Sequence, residues 1–398
     1  MKVRSTIVLF FLFMLTNCVE PYQVVDGFNE DLLVVYASIS NMEGPHYVSL
    51  SYSSSNVSEF NPPPANAKVK ITDNLGNEVH LNHSGDGIYE TPAFFRPVVG
   101  NSYTLHIENN SKTYESAPCL LREPACIDSL YYEAGTGIID NLERPVLNLK
   151  VEASLCSDSE TFLRWEVEED WKTELQRPIT MSMIDDNTFR FLDDPEFYCY
   201  KNDKITDINI ASFENMTGNQ ITNINVGSLL SDESDRFLLR YRARVFQYSI
   251  SKEEYVFLSQ LKQTSEDVDN FFDRQPYELS GNIKCLTNPD ESVLGFFQVD
   301  GVSTNDIYIN LRDIEHLGLP LPYHEICSVE MISVGTVPSL YEVYKEYIAS
   351  GMWSFYGPSY SLDGKVLLGI WFAKPECAIC ASSLASEFSP ADWIEDEE

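Results

Sequence analysis

The chain has 398 residues, with 61 acidic against 27 basic side chains and a formal net charge of -34. That balance argues against nucleic acid as a partner, which needs a positive surface to displace counterions, and against a polybasic membrane contact. It suits a self-repelling, soluble surface. Acidic loops that bind Ca²⁺ are the alternative reading, although no stretch has the regular oxygen-ligand spacing of a calcium loop.

Residues 1–18 read as an export signal. Lys2 and Arg4 precede an apolar run from Ile7 to Leu15. The run is too short to span a bilayer, which takes about 20 residues. Leu15-Thr16-Asn17-Cys18 resembles a bacterial lipobox: an aliphatic residue, two small or polar residues, then Cys. On that reading Cys18 is lipidated, and acyl chains worth about 0.8 kcal/mol per buried CH₂ hold the chain to a membrane. The rival is an ordinary signal peptide with a Cys near its cleavage site. Residues 19–29 hold Pro21 and few apolar runs. They are expected to form an extended tether, reaching at most about 3.3–3.6 Å per residue.

Residues 30–120 carry short strand patterns divided by turns. "LLVVYASISN" is β-rich, and "HYVSLSYSSS" alternates Val48, Leu50 and Tyr52 with Tyr47, Ser49 and Ser51. "AKVKITD", "EVHLNHS", "GIYETPAF" and "SYTLHIENN" continue the alternation. "ITDNLGNE" and "SGDGIY" read as hairpin turns, because Asp, Asn and Gly favour turn geometry. His80 and His83 are expected on opposite faces of one strand, which cannot share a metal. This spacing predicts an immunoglobulin-like β-sandwich.

Residues 121–398 are expected to form a larger β-rich domain with a few short helices. "RPVLNLKVEA" and "TFLRWEVEEDW" read as a strand pair. "RFLLRYRARVFQYS" is a long strand whose Arg240, Arg242 and Arg244, spaced by two, share one face. Either that face is solvated and pairs with acidic neighbours, or it binds a ligand. Ser251 and Glu254 make a capping box for a helix near 251–264, with Tyr255, Leu258 and Leu261 as its apolar stripe. A second helix is expected near 339–350, closed by Gly351. "GNIKCLTNPDESVLGFFQVDG" reads as two strands around a polar turn, and apolar strands after Val329 are expected to complete the sheet. "MWSFYGPSY" is aromatic and uncharged. Its Trp353, Phe355 and Tyr356 are interface candidates, with core packing as the alternative.

Apart from Cys18, the cysteines are Cys119, Cys126, Cys156, Cys199, Cys285, Cys327, Cys377 and Cys380. An even number in an exported chain points to disulfides. Cys377 and Cys380 are too close for easy mutual pairing, so each is expected to reach a distant partner such as Cys199 or Cys327. Zinc at Cys377-x-x-Cys380 would want a second such pair or nearby His. No cofactor is implied. No nucleophile elbow, zinc-protease helix or phosphate-cradling loop is present in the sequence.

Taken in order, the lipobox, "LLVVYASISNMEGPHYVSLSYS", "ANAKVKITDNLGN", "GNSYTLHIENNSKTYES", "FLRWEVEEDW", "SISKEEYVFLSQLKQ", "LSGNIKCLTNPDESVLGFFQV" and "PECAIC" resemble a Bacteroidota outer-membrane lipoprotein family, the domain of unknown function numbered forty-two forty-nine. The acidic "DWIEDEE" replaces that family's usual aromatic-rich ending. The resemblance implies a surface lipoprotein of the outer membrane, lipid-anchored and facing the cell exterior. It also implies an accessory role beside a TonB-dependent transporter, with no catalytic residues assigned. A structural subunit of an outer-membrane assembly or secretion complex, and a secreted hydrolase, are the alternatives.

Overall fold

The computed structural model describes residues 32–53, 61–139, 142–155, 161–214, 216, 218–266, 281–323, 326–335 and 337–395. Cys18, the expected tether and Cys156 lie outside the described residues. The first stretch of chain forms β1 (Leu33–Ser40), β2 (Tyr47–Tyr52), β3 (Lys68–Asp73), β4 (Glu78–His80), β5 (Asn82–Gly85), β6 (Ile88–Glu90), β7 (Ser102–Asn109), β8 (Lys112–Ser116) and β9 (Cys119–Leu120). The middle forms β10 (Cys126–Ile139), β11 (Leu142–Ser154), β12 (Phe162–Glu174), β13 (Met181–Asp185), β14 (Thr188–Phe191), β15 (Tyr198–Ser212), β16 (Gln220–Leu229), β17 (Arg240–Ile250) and helix α1 (Lys252–Glu266). The last stretch forms β18 (Ile283–Cys285), β19 (Leu294–Asn310), α2 (Leu311–His316), β20 (Val329–Ser333), α3 (Leu340–Ser350), β21 (Ser354–Tyr360) and β22 (Leu367–Ala373). The protein is mainly β.

Local chemistry sets the strands and turns. In β1, Leu33, Val35, Ala37 and Ile39 are buried and alternate with less buried neighbours, as a one-sided strand requires. Asp73 Oδ1 accepts from Leu75 N and Asn77 N at 2.9 and 2.8 Å, which fixes the turn into β4. Between β5 and β6, Asp86 and Gly87 both have positive φ, 48° and 75°, as a tight hairpin link demands. A Cβ on Gly87 would lie 2.2 Å from the Leu50 carbonyl oxygen, so glycine alone fits there. His80 and His83 stand on two strands, β4 and β5, that belong to different sheets. Buried Leu81 between them turns the chain from one sheet to the other, which corrects the single-strand expectation.

An eight-stranded sheet runs β15-β12-β17-β19-β1-β2-β6-β5. Facing one end of it is the sheet β18-β8-β7-β3-β4, with β9 beside β7. The first core fills the space between them. It contains Val35, Leu50, Ile71, Leu105 and Ile107, together with Ile283, Phe297 and Val299 from far along the chain. Parallel pairing of β1 with β19, Tyr36 opposite Phe296 and Ser40 opposite Asp300, brings the latter group in. A division at residue 120 therefore does not divide the sheets.

The second core lies between β10-β11-β16 and the β12-β17-β19 part of the large sheet. Leu147, Leu149, Val151, Trp165, Tyr241, Val245 and Ile309 fill it. β11 and β12, expected as a pair, face each other across this core instead. β11 pairs with β10 and β16, and β12 with β15 and β17. Both strands are amphipathic, and the sequence pattern does not say whether two apolar faces lie side by side or opposed.

β20-β22-β21 form a sheet of their own and do not complete the large one. Their core, Phe355, Ile370 and Phe372, is shared with Leu340 of α3 and Met183 of β13. α3 ends at left-handed Gly351, φ 68°, as its sequence predicts, and begins with a capping box of Ser339 and Glu342. α1 lies on the outer face of the large sheet, where Tyr255, Leu258 and Leu261 meet Phe162, Ile208, Ile210 and Ile250.

Candidate functional site

Two disulfides staple the module built from β20 to β22. Cys199 of β15 joins Cys380, and Cys327 joins Cys377. Both cysteines of the Cys-x-x-Cys motif are thus consumed in separate bonds, leaving no thiolate pair there for zinc. Cys119, Cys126 and Cys285 are free thiols, which corrects the expectation that they form disulfides. The Cys119 sulfur accepts from Asn282 Nδ2 at 3.2 Å and donates to the Phe297 carbonyl at 3.6 Å. Burial, reinforced by Glu254 and Asp300, pushes its thiol up to about 12. Cys285 is buried in the first core. Cys126 is exposed at the start of β10.

The three aromatic interface candidates separate. Phe355 is 1% exposed and packs on Phe372 and Tyr344, so it is a core residue and leaves the candidate surface. Trp353 is half-buried, stacked on Tyr347 and covered by the Lys374 ammonium at 4.3 Å. Tyr356 is half-buried against Trp371, with the Arg177 guanidinium 5.6 Å from its ring centre. Met331 lies opposite Trp371 in the ladder, so the two share a sheet face, and Val329 two residues earlier shares it. Val329 and Met331 are exposed, as are Val334, Leu362, Val366 and Leu368 nearby. Sequence reasoning missed this apolar face. The signal available was "VEMIS", in which apolar residues occupy both strand faces.

A cleft of about 720 Å³ separates the module from the large sheet. Thr173, Lys201, Asp235, Tyr323, Lys374 and Glu376 are among its lining residues. Asp235 accepts from Trp171, Thr173 and Lys201 at 3.0, 2.8 and 2.8 Å. Burial acts to raise its pKa, but Lys201 and the other donors outweigh it and hold the carboxyl below its ordinary value. Such a carboxylate is a fixed anion, not a proton carrier.

The arginine row on β17 faces outward on the large sheet, and acids meet it. Arg244 makes two bonds to Asp306 at 2.8 and 2.7 Å, and Arg242 makes two to Asp170 at 3.1 and 2.5 Å. Arg240 lies over the Tyr308 ring at 4.4 Å. Further along this face, beneath α1, buried Arg164 approaches Asp300 at 3.3 Å and Glu254 at 3.7 Å and also pairs with Glu166. Gln298 Nε2 donates to Glu254 at 2.9 Å. Burial, then the neighbouring Asp300, drives the Glu254 carboxyl well above its ordinary range. Burial raises Asp300 as well, against the pull of Arg164. Ser251 still caps α1, its Oγ accepting from Glu254 N at 3.1 Å. The Glu254 carboxyl group, expected to complete that box, turns inward to Gln298 and Arg164. Among the described residues, no three His, Cys, Asp or Glu side chains converge as metal ligands would.

No curated protein sequence matches the chain. A family model described as a domain of unknown function (DUF4249) matches residues 19–306, most of the chain and all of both large cores' strands through the greater part of β19. The chain belongs to this family.

Proposed function

We propose that the protein is a surface-exposed outer-membrane lipoprotein, anchored through Cys18, and a non-catalytic binding or accessory subunit of a TonB-dependent transporter. The observation that carries this is the apolar face of the stapled module, Val329, Met331 and Trp371 with Tyr356 at its edge. Apolar surface of this kind on a chain of net charge -34 suits a protein contact. The lipobox-like Leu15-Thr16-Asn17-Cys18 supports membrane attachment, which raises the effective concentration for any neighbouring barrel. A non-catalytic role is supported by the placement of two acids whose pKa burial raises, Glu254 and Asp300, which are sealed under α1 away from the cleft, and by Asp235 in the cleft, which is held as a fixed anion. We also read the two sheets around the first core as an immunoglobulin-like sandwich completed by β18 and β19.

Co-purification from detergent-solubilised outer membranes tests the proposal. The wild type should bring a TonB-dependent barrel with it. Val329→Ser with Met331→Ser should lose the barrel at an unchanged melting temperature. Cys18→Ala should abolish membrane retention. A double variant that keeps the barrel, or a wild type that brings none, overturns the reading. A flat apolar face also suits a structural subunit of an assembly or secretion complex, and the identity of the co-purifying chain separates the two.

A further inference from the structure

The segment Pro390–Glu395 has neither helix nor strand, yet it is held by many partners. Trp393 sits edge-on between Tyr200 and Tyr308, with ring centres 5.5 and 5.6 Å away, and the Arg242 guanidinium lies 5.8 Å from its ring centre. Two residues on, Glu395 accepts from Lys172 Nζ at 2.9 Å and from Tyr200 Oη at 2.8 Å. The backbone is read too. Arg242 donates to the Ala391 carbonyl at 3.4 Å, Tyr308 Oη donates to the Asp392 carbonyl at 3.4 Å, and Ile394 N donates to Tyr308 Oη at 3.0 Å. Burial acts to raise the Glu395 carboxyl, but Lys172 and Tyr200 outweigh it and keep it charged.

The receiving residues come from four different strands, β12, β15, β17 and β19, so the cradle is a rigid part of the large sheet. Its cation and aromatic groups are matched to an aromatic side chain followed by a carboxylate two positions later. Arg242 is already paired with Asp170, and Tyr200 is held in place by backbone bonds with Ser386 at 2.8 Å in both directions, upstream of the segment. The cradle therefore has supports of its own. Lys172, Tyr200 and Arg242 also fall within the family-matched residues, whereas the segment that fills the cradle lies beyond them.

We infer that Lys172, Tyr200, Arg242 and Tyr308 form a peptide-recognition cradle for an aromatic residue with an acidic residue two positions on, and that residues 390–395 occupy it in place of such a segment from a partner protein. Recognition combines aromatic edge contacts and cation–π attraction with a charge-assisted hydrogen bond.

The test uses a chain shortened to end at Phe388 and a fluorescein-labelled peptide of residues 389–398. Fluorescence anisotropy should show saturable binding to the shortened chain. The intact chain should bind about ten- to a hundred-fold more weakly, because its own segment competes at roughly millimolar effective concentration. A peptide carrying Trp393→Ala, or a shortened chain carrying Lys172→Glu, should lose most of the binding. A shortened chain that melts cooperatively yet binds nothing overturns the inference, as does equal binding of the Trp393→Ala peptide. If shortening prevents folding, a protease site placed after Phe388 allows the folded chain to be cut. Departure of the segment followed by rebinding of fresh peptide supports the cradle. Unfolding on departure overturns it. Dimers held by exchange of this segment make the cradle a contact between copies and also overturn the partner assignment.

Discussion

The large sheets and the stapled module solve the same problem differently. Each large core encloses aliphatic side chains from many strands, such as Leu105, Ile107 and Val35 in one and Leu147, Leu149 and Val245 in the other. The module encloses Met183, Leu340, Phe355, Ile370 and Phe372, with half-buried aromatics around them. A core that small gives limited hydrophobic stabilisation. Both disulfides are located there, one closing a separation of 181 residues and the other of 50. Covalent links thus stand beside a small core, and the exposed apolar face lies on the part of the molecule held by bonds that do not depend on burial.

The largest effects should break the module and spare the rest. Phe372→Ala is expected to cost about 3–5 kcal/mol, the range for removing a buried aromatic. Hydrogen exchange should show β20, β21 and β22 losing protection while β1 and β19 keep theirs. Loss of protection everywhere would mean that module and sheets form one cooperative unit. Next, Cys199→Ser together with Cys380→Ser should cost about 2–4 kcal/mol, by restoring loop freedom to the unfolded chain. The same exchange pattern should appear in weaker form.

This contrast was only partly legible in the sequence. Strands such as β1 and β7 follow from period-2 alternation, and the hairpin links follow from Asp73, Asp86 and Gly87, because those signals are local. The parallel pairing of β1 with β19 is not local. Its partners lie some 260 positions apart, as Val34 and Leu294 show, and no turn announces it. The module was obscured for the same reason, since Met183 and Phe189 reach it from a hairpin between β12 and β15. Cys199 and Cys327 were nameable as partners for the Cys-x-x-Cys pair, but which joined which depended on the fold. In "MWSFYGPSY", Phe355 and Tyr356 look alike as residues, and only their neighbours separate core from edge.

A pH-dependent effect should belong to the large sheet alone. Arg164, Glu166, Asp300, Gln298, Tyr248 and Tyr36 from the sheet, and Cys119, surround Glu254 beneath α1. The folded Glu254 keeps its proton above 4.5, where the unfolded chain has lost it. The folded state then binds more protons, so stability is fully present below about pH 4.5 and falls as pH rises through the elevated folded value. Glu254→Gln removes that dependence, as Gln imitates the protonated acid. Melting temperatures of variant and wild type should diverge in the variant's favour from pH 5 to pH 8. A constant difference across that range would show that Glu254 is not proton-bound in the folded state.

The smallest effect compares the two helices by their caps. In α3, Ser339 Oγ accepts from Glu342 N at 3.4 Å and Glu342 returns the contact to Ser339 N at 3.1 Å, all at the surface. Ser339→Ala should cost about 1 kcal/mol, the usual value for a lost cap. In α1, Ser251 caps the backbone of Glu254, whose carboxyl group is committed to Gln298 and Arg164. Ser251→Ala therefore removes a cap and also loosens the backbone that positions a buried acid. Its cost should be of the same order, about 1 kcal/mol, but it should change the slope of stability against pH. Ser339→Ala should leave that slope unaltered, because Glu342 is exposed and its neighbours hold no buried charge cluster. Chemical denaturation of both variants at pH 5 and pH 8 measures the difference. Parallel shifts would mean that the cap and the acid beneath α1 act independently, and the large sheet would then hold its buried charges without help from the helix terminus.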